Sequence, residues 1–257
     1  MNAVIRPAIH AAAYAAASST TTGSTLATQR WLGAFFILEA LLSLAPMAVL
    51  GPTIGWPASL GKPAAEQLAA IHAQPDAVAF GYGLYLLYSV LIAPLMIALA
   101  ARVFGGLHHP LAATVAALAA LSTLARAIGI LRWLTVMPAL AAVHAGADAA
   151  QRAQIELIFH AVTLYGGGIG ELLGVALFMA MAVALLCWGA LCTAAMPRAL
   201  AWLGFVSAAL LGAMLLPALR LSVQVPVAAA VSLLAVWMLA VGVWLWRAGK
   251  AQAGLKV

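Results

Sequence analysis

The chain has 257 residues, of which 66% are hydrophobic and 7% are charged, and its formal net charge is +6. A soluble domain carries about a quarter charged residues, so this composition excludes an ordinary globular domain and favours a polytopic membrane protein in contact with the lipid bilayer. The positive charge does not indicate nucleic-acid binding, because most of it lies in the gaps between apolar stretches and sets orientation instead.

The N-terminal residues 1–30 are rich in Ala, Ser and Thr and predict a flexible cytoplasmic tail. The rest predicts an all-α fold, with a transmembrane helix bundle at residues 31–247 and a cytoplasmic C-terminal tail at residues 248–257. The bundle has six predicted spans, at about residues 31–50, 77–101, 111–133, 168–192, 200–219 and 227–246.

The distribution of basic residues predicts the orientation of the six spans. An even number of spans places both termini on one side of the membrane. Most Lys and Arg residues fall on that side, and the other side carries only Lys62, Arg152 and Arg220. By the positive-inside rule, both termini are expected to be cytoplasmic.

The longest connection, residues 51–76, is therefore expected outside, and Pro63 to Ala73 within it predicts a short helix. The outer side also collects three histidines and a glutamate that are candidate zinc or copper ligands, namely His72, His144, His160 and Glu156. None of them has HxxxH or HExxH spacing, so a metal site is less favoured than a solvated polar surface. Haem is also disfavoured, since its histidines should face each other inside the bundle. No cofactor is predicted.

Two arginines occur in the third span, in the stretch LSTLARAIGILRWL. A charged side chain in so apolar a segment costs about 2.5–3.5 kcal/mol, which an acidic partner, a wet cavity or a nearby interface must offset. Arg132 precedes Trp133 and is interpreted as an interfacial anchor that extends outward. Arg126 would lie about 9 Å deeper in the membrane.

Two acids could pair with Arg126. Glu171 follows Glu156, His160 and Gly167 at steps of four, seven and four, which return to nearly one helix face, so an Arg126–Glu171 pair is plausible. Glu39, near the middle of the first span, is the competing partner. Two interpretations remain open: a polar contact that fixes helix packing, or a ligand or proton site, the default for intramembrane ionisable residues.

Glycines recur every four residues in the motif YGGGIGELLG, at Gly166, Gly170 and Gly174. Such a stripe predicts close packing against another helix. Alternatively, the glycines loosen the helix and free backbone groups beside a cavity.

Three motifs carry a family resemblance: ARAIGILRWLTVMPAL at Ala125–Leu140, YGGGIGELLGVALF at Tyr165–Phe178, and MPRALAWLGF at Met196–Phe205. In this order they resemble a bacterial membrane family, domain of unknown function 4386, over about Trp31 to Arg247. The resemblance implies a six-helix protein of the bacterial inner membrane. It supplies no established activity and no catalytic residues.

The favoured functional hypothesis is binding, transport or sensing of a small molecule at a centre formed by Arg126, Glu171, Glu39 and Arg132. The fork of a guanidinium suits an anionic group. One alternative is a membrane enzyme or a metal or haem redox protein that uses the outer His and Glu residues. An enzyme is the less favoured, because no GxSxG, HExxH or paired-glutamate motif is found. The other alternative function is that of an accessory subunit, whose partner would be a membrane complex. A homo-oligomer is a further option.

Overall fold

The computed structural model describes residues 28–223 and 225–254, with side chains as far as residue 249, and all regular structure in this part is helical. The predicted N-terminal tail lies mostly outside the described residues. Ten α-helices and one π-helix follow in order: α1 (residues 28–42), α2 (Ala45–Ile54), α3 (Ala64–Ala73), α4 (Pro75–Phe104), α5 (Pro110–Leu134), α6 (Val136–Gly146), α7 (Ala149–Gly167), the π-helix (Gly168–Met179), α8 (Ala180–Thr193), α9 (Arg198–Ala213) and α10 (Val227–Gly254).

Five helical stretches of the described chain are long and apolar enough to cross a membrane: Thr28–Ile54, Pro75–Phe104, Pro110–Gly146, Ala149–Thr193 and Val227–Gly249. The shortest has 23 residues, about 35 Å at 1.5 Å per residue, which exceeds the ~30 Å hydrocarbon core of a bilayer. Helix α9 overlaps the predicted fifth span but has only 16 residues. A short 3-10 helix at Pro217–Leu219 follows it.

Local sequence signals set several helix ends. Gly105, with a φ of 77°, ends α4 in the left-handed conformation. The ring of His109 then caps α5 by accepting a hydrogen bond from the backbone N–H of Leu111 at 3.2 Å. Helix α5 ends at Leu134, close to the end predicted for the third span at about residue 133. Helix α3 confirms the short helix predicted in the long connection.

The longest helical stretch contains an unusual segment. It begins at Ala149, after a capping box between Asp148 and Gln151, and is α-helical to Gly167. It continues as a π-helix over Gly168–Met179 and returns to α-helix from Ala180. The predicted fourth span begins inside this helix, and the π-helix was not predicted.

The bundle has two halves with separate hydrophobic clusters. We call the half in which Gly33 of α1 contacts α10 the terminal half. At this contact, a Cβ added to Gly33 would lie 2.7 Å from both the carbonyl oxygen of Gly242 and the backbone nitrogen of Trp246. Its cluster includes Phe36, Met96, Val115, Leu186 and Trp237. The cavity half, at the other end, has a smaller cluster that includes Leu50, Leu68, Tyr82, Trp133 and Phe159.

Candidate functional site

A cavity of about 490 Å³ lies in the cavity half. Its volume falls in the range of roughly 300–1,000 Å³ that is typical of small-molecule sites. The lining comes from the turn after α1 and from α2, the connection around Trp56, α4, α5, the end of α7, the π-helix and the start of α10. The long connection and five long helical stretches therefore all contribute to one space.

The polar side chains of the lining are concentrated on α4, α5 and the π-helix. They include both arginines of α5 and one of the two intramembrane acids, and the set is Tyr82, Tyr85, Arg126, Arg132 and Glu171. The tyrosines were not among the site residues predicted from the sequence. The tyrosines could have been found from their spacing, because Tyr82, Tyr85 and Tyr88 recur every three residues on one helix face.

Glycines allow α5 and the π-helix to approach each other closely. A Cβ added to Gly129 would lie 2.8 Å from the Cα of Gly170, and one added to Gly174 would lie 2.7 Å from the Cγ of Arg126. At the same contact, the hydroxyl of Ser122 donates a hydrogen bond to the carbonyl oxygen of Gly174 at 2.7 Å. The predicted packing role of the glycine stripe is thus confirmed, and its partner is the helix that carries the arginines.

Arg132 lies along the cavity wall. Its Nη1 donates a hydrogen bond to the carbonyl oxygen of Gly129 at 2.7 Å, and its Cζ is 5.4 Å from the ring centroid of Trp133. The side chain crosses Gly166, where an added Cβ would lie 2.7 Å from the arginine Cδ. Because this glycine leaves a groove between the helices, Arg132 packs into the wall and does not extend outward as the sequence predicted.

Arg126 is 4% exposed and has fewer partners than Arg132. Its Cζ lies 4.5 Å from the ring centroid of Tyr88, a cation–π contact that offsets part of the cost of burial. Its Nε is buried without a hydrogen-bond partner, and within the described part of the chain its guanidinium makes no hydrogen bond and no ion pair within 4 Å. Arg126 also lines the cavity.

The two acids interact with different arginines. Glu39 is 1% exposed, and both of its carboxylate oxygens lack a hydrogen-bond partner among the described residues. Electrostatically, Glu39 interacts with Arg126, and Glu171 interacts with Arg132. The ion pairs within 4 Å in the described part of the chain include neither acid.

The direction of helical side chains explains why Arg126 and Glu171 do not pair. Glycine contacts align Arg126 with Gly174 and Arg132 with Gly166, so the two helices are antiparallel. Side chains lean towards the N-terminus of their own helix. Glu171 therefore leans towards the level of Arg132, while Arg126 leans away from it, and the pair that the sequence made plausible is not formed.

The histidines that the sequence suggested as metal ligands are dispersed in the structure. His144 Nε2 lies 3.0 Å from Glu156 Oε1, whereas His72 and His160 are exposed on α3 and α7. Among residues 28–223 and 225–249, no three His, Cys, Asp or Glu side chains come close enough together to hold a metal ion. Of the four metal-ligand candidates, the structure brings together only His144 and Glu156.

Comparison with known protein families gives a match over most of the chain. The model of the family described as "Domain of unknown function (DUF4386)" matches residues 31–249, which include all the cavity-lining residues. The comparisons with curated proteins and with solved structures gave no match.

Proposed function

The chain belongs to the DUF4386 family, and we propose that it binds a small molecule with an anionic group in the cavity, for transport or sensing, with Arg126 as the anchoring cation. The proposal depends on one observation: the buried guanidinium of Arg126 lines a cavity of ligand size and has no hydrogen-bond partner within the described residues. A guanidinium has five N–H donors in a planar fork that matches a carboxylate or phosphate group.

The charges around the cavity leave Arg126 as the cation available to a ligand. Arg132 already donates a hydrogen bond to Gly129 and interacts electrostatically with Glu171 in the same wall, so its guanidinium has partners within the protein. Glu39 interacts with Arg126 but does not line the cavity. It therefore does not occupy the space at Arg126 that an anionic ligand would fill.

We also propose six spans with both termini cytoplasmic, in the bacterial inner membrane. Residues 198–219, which comprise α9, a turn and the 3-10 helix, contain 22 residues and supply the sixth crossing. Gly33 and Trp246 lie at the same end of the bundle. That end carries Arg30 stacked on Trp246 and Arg102 on Trp244, as expected for a cytoplasmic interface rich in basic and aromatic residues. The cavity half then lies on the outer side.

A thermal-stability screen tests the binding proposal. Protein in phosphatidylcholine nanodiscs is heated with matched acid and amide pairs, such as hexanoate with hexanamide and benzoate with benzamide. A ligand at 100 times its Kd stabilises a protein by about 2.7 kcal/mol, so binding is visible as a raised unfolding temperature. We expect at least one acid, and not its amide, to stabilise the protein.

The matched variants are Arg126→Gln and Arg198→Gln, since Arg198 is exposed and does not line the cavity. The stabilisation should disappear in Arg126→Gln and persist in Arg198→Gln. If every acid acts no better than its amide, or if Arg126→Gln responds like the parent protein, the proposal is wrong.

A further inference from the structure

The two sides of the cavity differ in chemistry. The side formed by α4, α5 and the π-helix carries the arginines, the tyrosines and Glu171. The part of the lining from the turn after α1, from α2 and from the start of α10 is apolar except for Ser43 and Ser232, and it includes Leu44, Met47, Val227 and Val231. The cavity is therefore amphipathic, with one polar and one apolar wall.

The apolar wall is also part of the outer surface of the bundle. Leu44, Met47 and Val227 line the cavity and are 57%, 44% and 42% exposed. These residues belong to helical stretches long and apolar enough to cross a membrane, and in a bilayer their exposed side would contact lipid. Helices α1 and α10 contact each other at Gly33 and Gly242 in the terminal half, and farther along both stretches border the cavity. We call this lipid-facing border, between Leu44–Met47 and Val227–Ser232, the seam.

The route from the water phase is covered by the long connection. Trp56, Pro57, Ala58 and Leu60 line the cavity from that end. The Trp56 ring contacts Tyr85 at 5.8 Å between centroids, its backbone N–H donates to the carbonyl oxygen of Leu50 at 3.2 Å, and Ser59 is buried. This segment is thus held in place as a cover, whereas the seam carries no such cover in the described part of the chain.

We infer that the ligand is a single-chain amphiphile with an anionic headgroup, drawn from the bilayer through the seam. The inference rests on the proposed function and names its ligand class. The headgroup, a carboxylate or a phosphate monoester, lies at Arg126, and the chain follows the apolar wall of Leu44, Met47 and Val231 towards the lipid. The cavity has the volume of a drug-sized site, which favours one chain over the two chains of a membrane phospholipid.

Three probes separate a bilayer amphiphile from a water-soluble anion. Laurate has the headgroup and the chain, acetate has only the headgroup, and lauryl alcohol has only the chain. Their affinities are measured from the unfolding temperature of the protein in phosphatidylcholine nanodiscs. We expect laurate to bind at least about tenfold more tightly than either acetate or lauryl alcohol.

Two variants test the two ends of the path proposed for laurate. Arg126→Gln removes the headgroup partner, and Ser232→Trp fills the seam. Each should weaken laurate binding by at least about tenfold, the factor that corresponds to 1.4 kcal/mol. Val236→Trp is the control, because Val236 is exposed on the same helix and does not line the cavity. It should leave the affinity for laurate unchanged.

The outcomes distinguish the ligand class from the binding site itself. If acetate binds as tightly as laurate in an Arg126-dependent way and Ser232→Trp has no effect, the ligand comes from water. The amphiphile inference is then wrong and the anion site stands. If no acid depends on Arg126, both proposals are wrong.

A crosslinking experiment on the unmodified chain covers the case in which Ser232→Trp fails to fold. A fatty acid with a diazirine on its chain is irradiated in the nanodiscs, and the labelled residues are identified by mass spectrometry. Label concentrated on Leu44, Met47 and Val227, and displaced by laurate, is the expected result. Label spread equally over lipid-facing residues such as Val236 would overturn the inference.

Discussion

The terminal half and the cavity half of the bundle use the same helices in different ways. In the terminal half, α1 and α10 meet at Gly33 and Gly242, and a large apolar cluster fills the space between the helices. In the cavity half, a smaller cluster lies beside an open space that contains two arginines and an acid. Close packing at one end holds the helices together, so the other end can keep a cavity and buried charges that would otherwise destabilise it.

The largest contrast is expected for tryptophan truncation. Trp237, in the terminal half, is fully buried, and its Nε1 donates to the carbonyl oxygen of Leu200 at 3.1 Å. Trp237→Ala should lower the free energy of unfolding by about 3–5 kcal/mol. Trp56→Ala should cost clearly less, because Trp56 is only half-buried and faces the cavity. Unfolding in mild detergent measures both, and equal losses would show that the halves are equally packed.

A smaller contrast is expected for alanine at glycine positions. A Cβ at Gly33 would meet backbone atoms of α10 at 2.7 Å, which cannot move aside without separating the helices. Gly33→Ala should therefore destabilise the protein by about 1–3 kcal/mol. A Cβ at Gly167 would lie 3.6 Å from Nη2 of Arg132, an ordinary contact. Gly167→Ala is the control, and its unfolding temperature should stay close to that of the parent.

The smallest effects concern the arginines, measured by double-mutant cycles. Glu39→Gln with Arg126→Gln, and Glu171→Gln with Arg132→Gln, should each show a coupling near 0.6 kcal/mol, the usual size for polar pairs in membrane helices. The cycle of Glu171→Gln with Arg126→Gln should be additive. Coupling in that third cycle, together with none in the first, would contradict the assignment of partners made from the structure.

Much of the fold could be predicted from the sequence because it depends on local signals. Apolar runs give the membrane-spanning helices, and Pro63 gives the start of α3. The family resemblance is confirmed by the match over residues 31–249. These features need no knowledge of which helices are neighbours.

The arrangement of the site could be predicted only in part, because it depends on which helices meet. The intramembrane arginines and acids stood out by their charge. Their pairing required the antiparallel register of α5 and the π-helix, which is fixed by contacts such as Gly129 with Gly170. Once that register is known, the lean of side chains towards the helix N-terminus assigns Glu171 to Arg132. The fully buried state of Glu39 also depends on helices distant in sequence.

The π-helix has a consequence for how family members diverge. Its hydrogen bonds join residues five apart, whereas those of an α-helix join residues four apart, so the segment Gly168–Met179 holds more residues per turn. A relative that lacks one residue here closes the same turn with α-helical hydrogen bonds, and the helix on either side of that turn keeps its orientation. Only the side chains within the turn change position. A different side chain would then take the place of Glu171 in the cavity wall, so a change in length, without any substitution, would alter which ligand the site accepts.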